Sequence, residues 1–172
     1  MEIVMKLGKN EITLRGPEGQ IRIIRNAHGI PEISASGASD CAYALGWIHA
    51  CDRQLQIFFT RILLQGRTAE ILAGEPELVA VDRYMRRMNF LPDADREIQK
   101  LKPAVKAQLK AYADGINDFM RENGPVMEFR LLKHAPEPWE IRDSILIAKI
   151  MGFFGQTDAQ AALEKFLVQM IQ

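Results

Sequence analysis

The spacing of hydrophobic positions changes once along this chain. Over the first 35 residues, apolar and polar positions alternate in Ile12–Leu14 and Ile21–Arg25, which is typical of half-buried strands. The segment Gly16–Gly19 between them predicts a turn. A second turn at Asn26–Gly29 leads to a third short strand at Glu32–Ala35. These residues therefore predict a small β meander, which needs further strands or helices to be stable.

From Ala38 onward, apolar positions recur at steps of three and four, which is the period of an amphipathic helix. Ser39 or Asp40 is predicted to cap this first helix, and Gly66 to end it. The predicted inward face is Trp47, Cys51, Leu55, Phe58 and Ile62.

Four further helices are predicted before residue 125. They are Thr68–Leu72, Asp82–Met88, a helix from Pro92 to about Lys100, and a helix that begins at Pro103 and ends before Gly124.

A last helical region runs from Ile141 through Met151 and resumes near Asp158. Gly152–Gly155 is predicted to interrupt it, because each glycine costs roughly 1 kcal/mol inside a helix. A break with aromatic residues can line an apolar pocket or pack against another chain.

Composition limits the kind of partner. The 172 residues suffice for one domain or a large part of one, and 22 basic residues balance 22 acidic ones. A net charge of zero predicts neither nucleic acid nor an anionic membrane as partner. No segment approaches the roughly 20 apolar residues that span a bilayer.

The two ends of the sequence bear on compartment and processing. Met1–Lys6 has no apolar core of a signal peptide, which predicts a cytoplasmic protein or a periplasmic or secreted one whose signal was removed. A helix that continues to Gln172 without a terminating signal suggests a cut or processed chain.

The pair Asp52-Arg53 interrupts an otherwise apolar stretch. Charges are expensive to bury unless they are paired and hydrogen-bonded. One interpretation is a buttress that pins this helix through a salt bridge to Arg86, Arg87 or Glu70. The other is that Arg53 supports the wall of an active site from behind.

No complete catalytic constellation is present. His28, His49 and His134 fall in separate predicted elements without metal-ligand spacing, and a hydrogen-bonding role is predicted for His49. Cys41 and Cys51 lie too far apart on one helix to bridge, so free buried thiols are expected.

Several segments between about residue 20 and residue 155 form one ordered set. They are Ile24–Ala35, Gly46–Gln56, Gly66–Glu70, Asp82 with Arg86, Ala111–Asn117, Glu128-Phe129, and Pro136–Trp139 with Asp143. Taken together and in this order, they resemble the α chain of the penicillin acylase family. The family usually has other residues at Asn26, Glu32 and Cys51, which bears on specificity more than on fold.

The resemblance implies an α+β fold, in which this chain is mainly helical with an N-terminal β meander. Residues 1–36 would join the sheets of a larger β chain made from the same precursor, and residues 37–172 would form the helical region. The two chains together would complete the αββα sandwich of an N-terminal-nucleophile hydrolase.

The implied reaction is removal of an acyl group from a small N-acyl amide, such as a β-lactam side chain in antibiotic biosynthesis. The nucleophile would be the β chain's N-terminal serine, with its own α-amine as general base, so no catalytic residue is expected in this chain. One alternative is an acyl-homoserine lactone or glutaryl cephalosporin acylase of the same fold. Another is a helical interaction module without catalytic activity.

The resemblance also implies site residues. Met151 aligns with a pocket methionine of the family, Phe154 with an arginine and Gly155 with an aromatic residue. The acyl pocket is therefore predicted at Met151, Phe154 and Gly155, with Phe153 nearby. Loss of the aromatic residue at Gly155 predicts a deeper channel that suits longer aliphatic acyl groups.

No cofactor is expected for the chemistry itself. Members of the family often bind calcium, however, so a structural calcium ion is an expectation that the resemblance adds. Gln160 is its nearest candidate ligand by position, with Asp158 and Glu164 as alternatives.

Overall fold

The structure is a computed structural model, and it describes residues 11–72, 74–153, 155 and 161. The first described residues form an antiparallel sheet of three strands. The strands are β1 (Glu11–Arg15), β2 (Gln20–Arg25) and β3 (Pro31–Ser34), in the order β1-β2-β3. Leu14 pairs with Ile21 across β1 and β2, and both side chains are buried. The predicted meander is confirmed.

Helix α1 (Ala38–Leu64) packs against helix α5 (Pro103–Asn123), and two glycines allow the backbones to touch. A Cβ atom at Gly46 would lie 2.0 Å from the carbonyl oxygen of Tyr112, and one at Gly115 would lie 2.0 Å from that of Tyr43. Side chains of both helices then close the core under the sheet, with a perpendicular contact between Trp47 and Phe119 among them.

The predicted cap of α1 is wrong. The N-cap is Gly37, without a side-chain hydrogen bond. Asp40 is fully buried in the first turn, where it accepts the N–H of Glu18 at 2.8 Å. Its carboxylate therefore accepts a hydrogen bond from the turn between β1 and β2 instead of from the first backbone N–H groups of α1. The predicted end of the helix is correct, because Gly66 takes the left-handed conformation just beyond it.

The other helices follow the predicted order, with different starts. Pro76 at the first position begins α3 six residues before the predicted start at Asp82. Phe90, not Pro92, begins α4, directly after Asn89 in the left-handed conformation. The bounds are α2 (Thr68–Ile71), α3 (Pro76–Arg87), α4 (Phe90–Lys100), α6 (Met127–Leu131) and α7 (residues 141–153).

The predicted interruption of the last helix is wrong at the residues that the structure describes there. Gly152, Phe153 and Gly155 are all helical. The glycine penalty is small beside the packing of the preceding turns, where Leu146 and Ile150 are buried in an apolar cluster with Leu64.

Within the same described ranges, none of the helices combines the length and the apolar character that a membrane span requires.

Candidate functional site

Helix α7 carries two of the four predicted pocket residues, Met151 and Phe153, and a buried ion pair fixes its beginning. Arg61 of α1 lies 3.3 Å from Asp143, and both side chains are only 3% exposed. The same guanidinium donates to the carbonyl oxygens of Pro138 and Glu137, each at 3.0 Å. The Asp143 carboxylate in turn accepts the N–H of Glu140 at 2.9 Å, just before α7 begins. We call these contacts the Arg61 joint.

The environment of the Arg61 joint is apolar. The guanidinium carbon of Arg61 lies 4.7 Å from the centre of the Phe58 ring and 5.5 Å from that of Trp139. Burial raises the pKa of Asp143, although the N–H of Glu140 and the charge of Arg61 act in the opposite direction. The joint is a packed, nearly dry connection between α1 and α7.

Asn117 of α5 holds the segment that enters α7. Its side chain donates to the carbonyl oxygen of Trp139 at 2.9 Å and accepts the Trp139 N–H at 2.7 Å. The indole N–H of Trp139 donates to Ser144 at 3.0 Å. Three helices, α1, α5 and α7, therefore meet at Trp139.

A second group of contacts holds α7 farther along. The Lys149 ammonium lies 2.5 Å from Asp93 and 2.6 Å from Glu97, both on α4. One turn later, the ring of Phe153 contacts that of Phe90 at 5.9 Å and a steep angle. We call the contacts of Lys149 with Asp93 and Glu97 the Lys149 clamp.

The two predicted acyl-pocket residues within α7, Met151 and Phe153, lie on different faces of the helix. Met151 is 64% exposed and Gly155 is exposed as well. Phe153 lies on the other face, against α4. Phe154 falls outside the described residues, so the assignment of a pocket to Met151, Phe153, Phe154 and Gly155 stays a prediction.

The predicted calcium ligands Gln160, Asp158 and Glu164 also lie outside the described residues. Among residues that are described, no group of three or more His, Cys, Asp or Glu side chains could hold a metal ion.

The pair Asp52-Arg53 marks a kink in α1. Arg53 has non-helical backbone angles, φ −137° and ψ 25°. Asp52 binds Arg25 at 2.7 Å, and Arg25 also donates to the carbonyl oxygen of Gly29. The predicted partners on α2 and α3 are therefore wrong, because Asp52 pairs with Arg25 at the end of β2. The predicted role of Asp52 in a salt bridge that holds α1 is therefore confirmed, with Arg25 as the partner.

The direction of the buried face of α1 explains the exposure of Cys51. Cys41 and Cys51 are free as predicted, but both are exposed. The buried positions of α1 run through Trp47, Ala50 and Gln54 and so leave Cys51 outside.

His49 takes the hydrogen-bonding role predicted for it. Its Nδ1 lies 2.8 Å from the hydroxyl of Tyr112. Burial lowers the pKa of His49, and the nearby charge of Asp52 acts against this. The uncharged imidazole is therefore favoured at the junction of α1 and α5.

Several clefts lie on the surface of the described residues, and two of them bear on the predicted acyl pocket. One of about 770 Å³ lies between the kinked part of α1 and helix α6, and Leu131 at its edge is 73% exposed. Another, of about 480 Å³, lies between α3 and α4 and includes Arg67, Arg86 and Arg142. Of the predicted acyl-pocket residues, the three that the structure describes line neither cleft.

The fold matches a known class of structures. Thermostable penicillin G acylase from Alcaligenes faecalis superposes with a TM-score of 0.65 and 28% identity, over 74% of this chain and 69% of the matched chain. The combination of a small sheet and long helices is thus the fold of an acylase chain.

Sequence relatives agree with the fold. Penicillin acylase 2 proenzyme of Pseudomonas sp. (strain SE83) is 36% identical over 142 residues, which is 82% of this chain and 18% of that protein. Acyl-homoserine lactone acylase QuiP of Pseudomonas aeruginosa is 32% identical over 143 residues, which is 81% of this chain and 16% of that protein. The chain therefore spans less than a fifth of these relatives.

Residues 20–171 match the family model described as penicillin amidase, so the chain belongs to the penicillin amidase family. The resemblance drawn from the residues is confirmed. The residues that anchor α7, Arg61, Asn117 and Lys149, were missed as candidates. Arg61 had a usable signal, because it is a charge next to Phe58 and Ile62 on the buried face of α1.

Proposed function

We propose that this chain is the α subunit of a two-chain amide hydrolase that removes the acyl group from a small N-acyl amide. The family match over residues 20–171 carries the proposal. The short span relative to the curated relatives supports it, because the remaining length of such a protein would form a larger β chain. The relative called a proenzyme fits a precursor that cleaves itself into two chains.

The division of labour follows from that proposal. The β chain's N-terminal serine attacks the amide carbonyl, and its own α-amine accepts the hydroxyl proton. This amine has a reference pKa near 8, so roughly a tenth of it is the free base at pH 7, far more than for a lysine. Donors from the β chain stabilise the oxyanion. The α subunit contributes one wall of the acyl pocket, on the exposed face of α7.

The acyl pocket is proposed at Met151 and Gly155, with Phe154 and Phe153 nearby. Exposure of Met151 on α7 supports this, since a methionine on an otherwise uncovered face is available to a ligand or partner. Gly155 leaves room where a larger residue would close the pocket. A medium-length aliphatic acyl group therefore suits the site better than a phenylacetyl group.

A second candidate substrate class is the acyl-homoserine lactones. Six relatives called acyl-homoserine lactone acylase QuiP, from several Pseudomonas strains, are 30% to 34% identical to this chain. These substrates also carry an aliphatic acyl group on an amide nitrogen, so the same deep pocket would accept them.

Metal and compartment are further proposals. The described residues offer no cluster that fits calcium, so a calcium site with Gln160 would depend on residues beyond them and on the β chain, and no reaction step is derived from it. A cytoplasmic location is a further proposal, with a periplasmic or secreted protein as the alternative.

The test is to express the whole open reading frame and to analyse the purified protein by intact mass and by hydrolysis. We expect two co-purifying chains, the larger of which begins with serine. We also expect a higher kcat/KM for medium-chain acyl amides or acyl-homoserine lactones than for phenylacetyl amides. A clear preference for phenylacetyl amides would contradict the proposed pocket. A single chain with no hydrolysis of any acyl amide would favour a non-catalytic module.

A further inference from the structure

The face of α7 that meets α4 is defined by its residue spacing. Arg142, Leu146, Lys149 and Phe153 follow one another at steps of four, three and four, which places them along one side of the helix. All four contact or approach the region of α4. Met151 is two residues after Lys149, so it lies about 200° around the helix axis, on the opposite side.

Helix α4 presents acidic side chains to this face. Asp93 and Glu97 are four residues apart, so they project side by side, and both reach the single ammonium of Lys149. Asp95 lies 3.8 Å from Arg142, two turns earlier on α7. Three carboxylates of α4 therefore lie near two cations of α7.

Lys149 is held more tightly than an ordinary surface lysine. Its side chain is 19% exposed, whereas that of Lys110, in an ion pair within α5, is 66% exposed. Two carboxylates at 2.5 and 2.6 Å use two of its three N–H donors. Such hydrogen bonds are directional, so they constrain the orientation of the turn of α7 that carries Lys149.

We propose that Lys149, Asp93 and Glu97 are positioning residues that set the rotation of α7 and thereby select the length of the acyl group. This inference rests on the proposed function, because it requires Met151 and Gly155 to line the acyl pocket. The Lys149 clamp on one face of α7 fixes the direction of the opposite face. A rotation of the helix by a fraction of a turn would move the Met151 side chain and change the depth of the pocket.

The test uses the processed two-chain enzyme and the variant Lys149→Met, which keeps an unbranched side chain one atom shorter and removes its charge. The measured quantity is the ratio of kcat/KM for a medium-chain acyl amide to that for a short-chain one. We expect this ratio to change about tenfold, since misplacement of a positioned group by about 1 Å can alter rates a hundredfold. Lys149→Arg should keep the ratio near that of the wild type, because it retains the charge between Asp93 and Glu97.

The matched control is Lys110→Met, which removes an exposed ion pair with Asp114 on α5 and should leave the ratio unchanged. If Lys149→Met does not fold, the double variant Asp93→Ala with Glu97→Ala removes both acceptors of the Lys149 ammonium and leaves the sequence of α7 unchanged. It should change the ratio in the same direction.

An equal fall in kcat/KM for both substrates, with an unchanged ratio, would show that the Lys149 clamp only stabilises the fold and would overturn the inference. A wild-type enzyme that hydrolyses neither substrate would overturn the proposed function, and the inference with it. The two failures are therefore distinguished by the wild type.

Discussion

Helix α7 is fixed at two places that differ in their exposure to water. At its beginning, Arg61 and Asp143 are each 3% exposed and are surrounded by aromatic rings. Farther along, Lys149 binds Asp93 and Glu97, whose side chains are 46% and 49% exposed. If Arg61 is removed, water cannot reach Asp143 to replace it, whereas water can solvate Asp93 and Glu97 if Lys149 is removed. The first therefore determines whether the helix is anchored, and the second determines how the anchored helix is oriented.

The two regions also differ in what each cation binds. Arg61 donates to two backbone carbonyls as well as to a carboxylate, so it joins the entering segment and the helix in one network. Lys149 binds side chains only. A planar guanidinium suits the first arrangement because its donors diverge in a fixed geometry.

The largest effect is expected from Arg61→Met. The change leaves the Asp143 carboxylate buried without its cation and removes the donors to Glu137 and Pro138. Breaking a buried ion pair by removal of one partner costs about 3–5 kcal/mol. Urea unfolding of the processed two-chain protein should show a loss of this size.

The matched control is Arg121→Met, because Arg121 is 64% exposed and binds Asp118 on the same helix. Its removal should be nearly neutral. Adding Asp143→Leu to Arg61→Met should recover part of the lost stability, because no buried charge then stays unpaired. Equal losses for Arg61→Met and Arg121→Met would contradict the distinction between buried and outer contacts.

A smaller loss is expected from Asn117→Ala. This change leaves the backbone N–H and carbonyl of Trp139 without partners, next to an indole that is 2% exposed. Unsatisfied buried groups of this kind cost about 1–3 kcal/mol. Thermal unfolding should place Asn117→Ala between Arg61→Met and the wild type. Asn123→Ala, which removes an exposed side-chain bond to Phe119 on the same helix, should have almost no effect.

Local signals in the sequence were enough to predict where many helices begin or end. Gly66 and Gly124 both have positive φ beyond the helices that they end, as their positions predict. Pro103 begins α5 as expected. The start of α3 was missed although Pro76 carries the same signal, because the unbroken apolar run Leu78–Val81 shows no helical period.

Contacts between distant residues could not be predicted in the same way. Asp52 has a strong local signal as a charge in an apolar helix, but its partner Arg25 lies 27 residues away on β2 and is brought close by the packing of α1 against the sheet. The inward face drawn through Cys51 was wrong because the buried side of α1 runs through Trp47, Ala50 and Gln54, and Cys51 lies about 100° around the helix from Ala50. Asp143 was matched to the family, yet its partner Arg61 depends on the packing of α1 against α7.

The pH dependence of the Lys149 clamp follows from its charges. Hydrogen bonds to Asp93 and Glu97 raise the pKa of Lys149, so its contribution is complete below the unfolded value of 10.5 and disappears as the pH rises through the folded value. The contact with Lys149, followed by that with Arg96, lowers the pKa of Asp93. Its contribution is complete above the unfolded value of 3.8 and disappears as the pH falls through the folded value.

The smallest loss of stability is therefore expected from Lys149→Met, and it should be constant through neutral pH. Its two acidic partners are about half exposed, so water can solvate them once the ammonium is removed. We expect a shift of the urea midpoint smaller than that of Asn117→Ala, and a smaller one still in 1 M salt, where the Debye length is about 3 Å. A loss as large as that of Arg61→Met, or one that salt does not reduce, would show that both fixed points of α7 act as buried anchors.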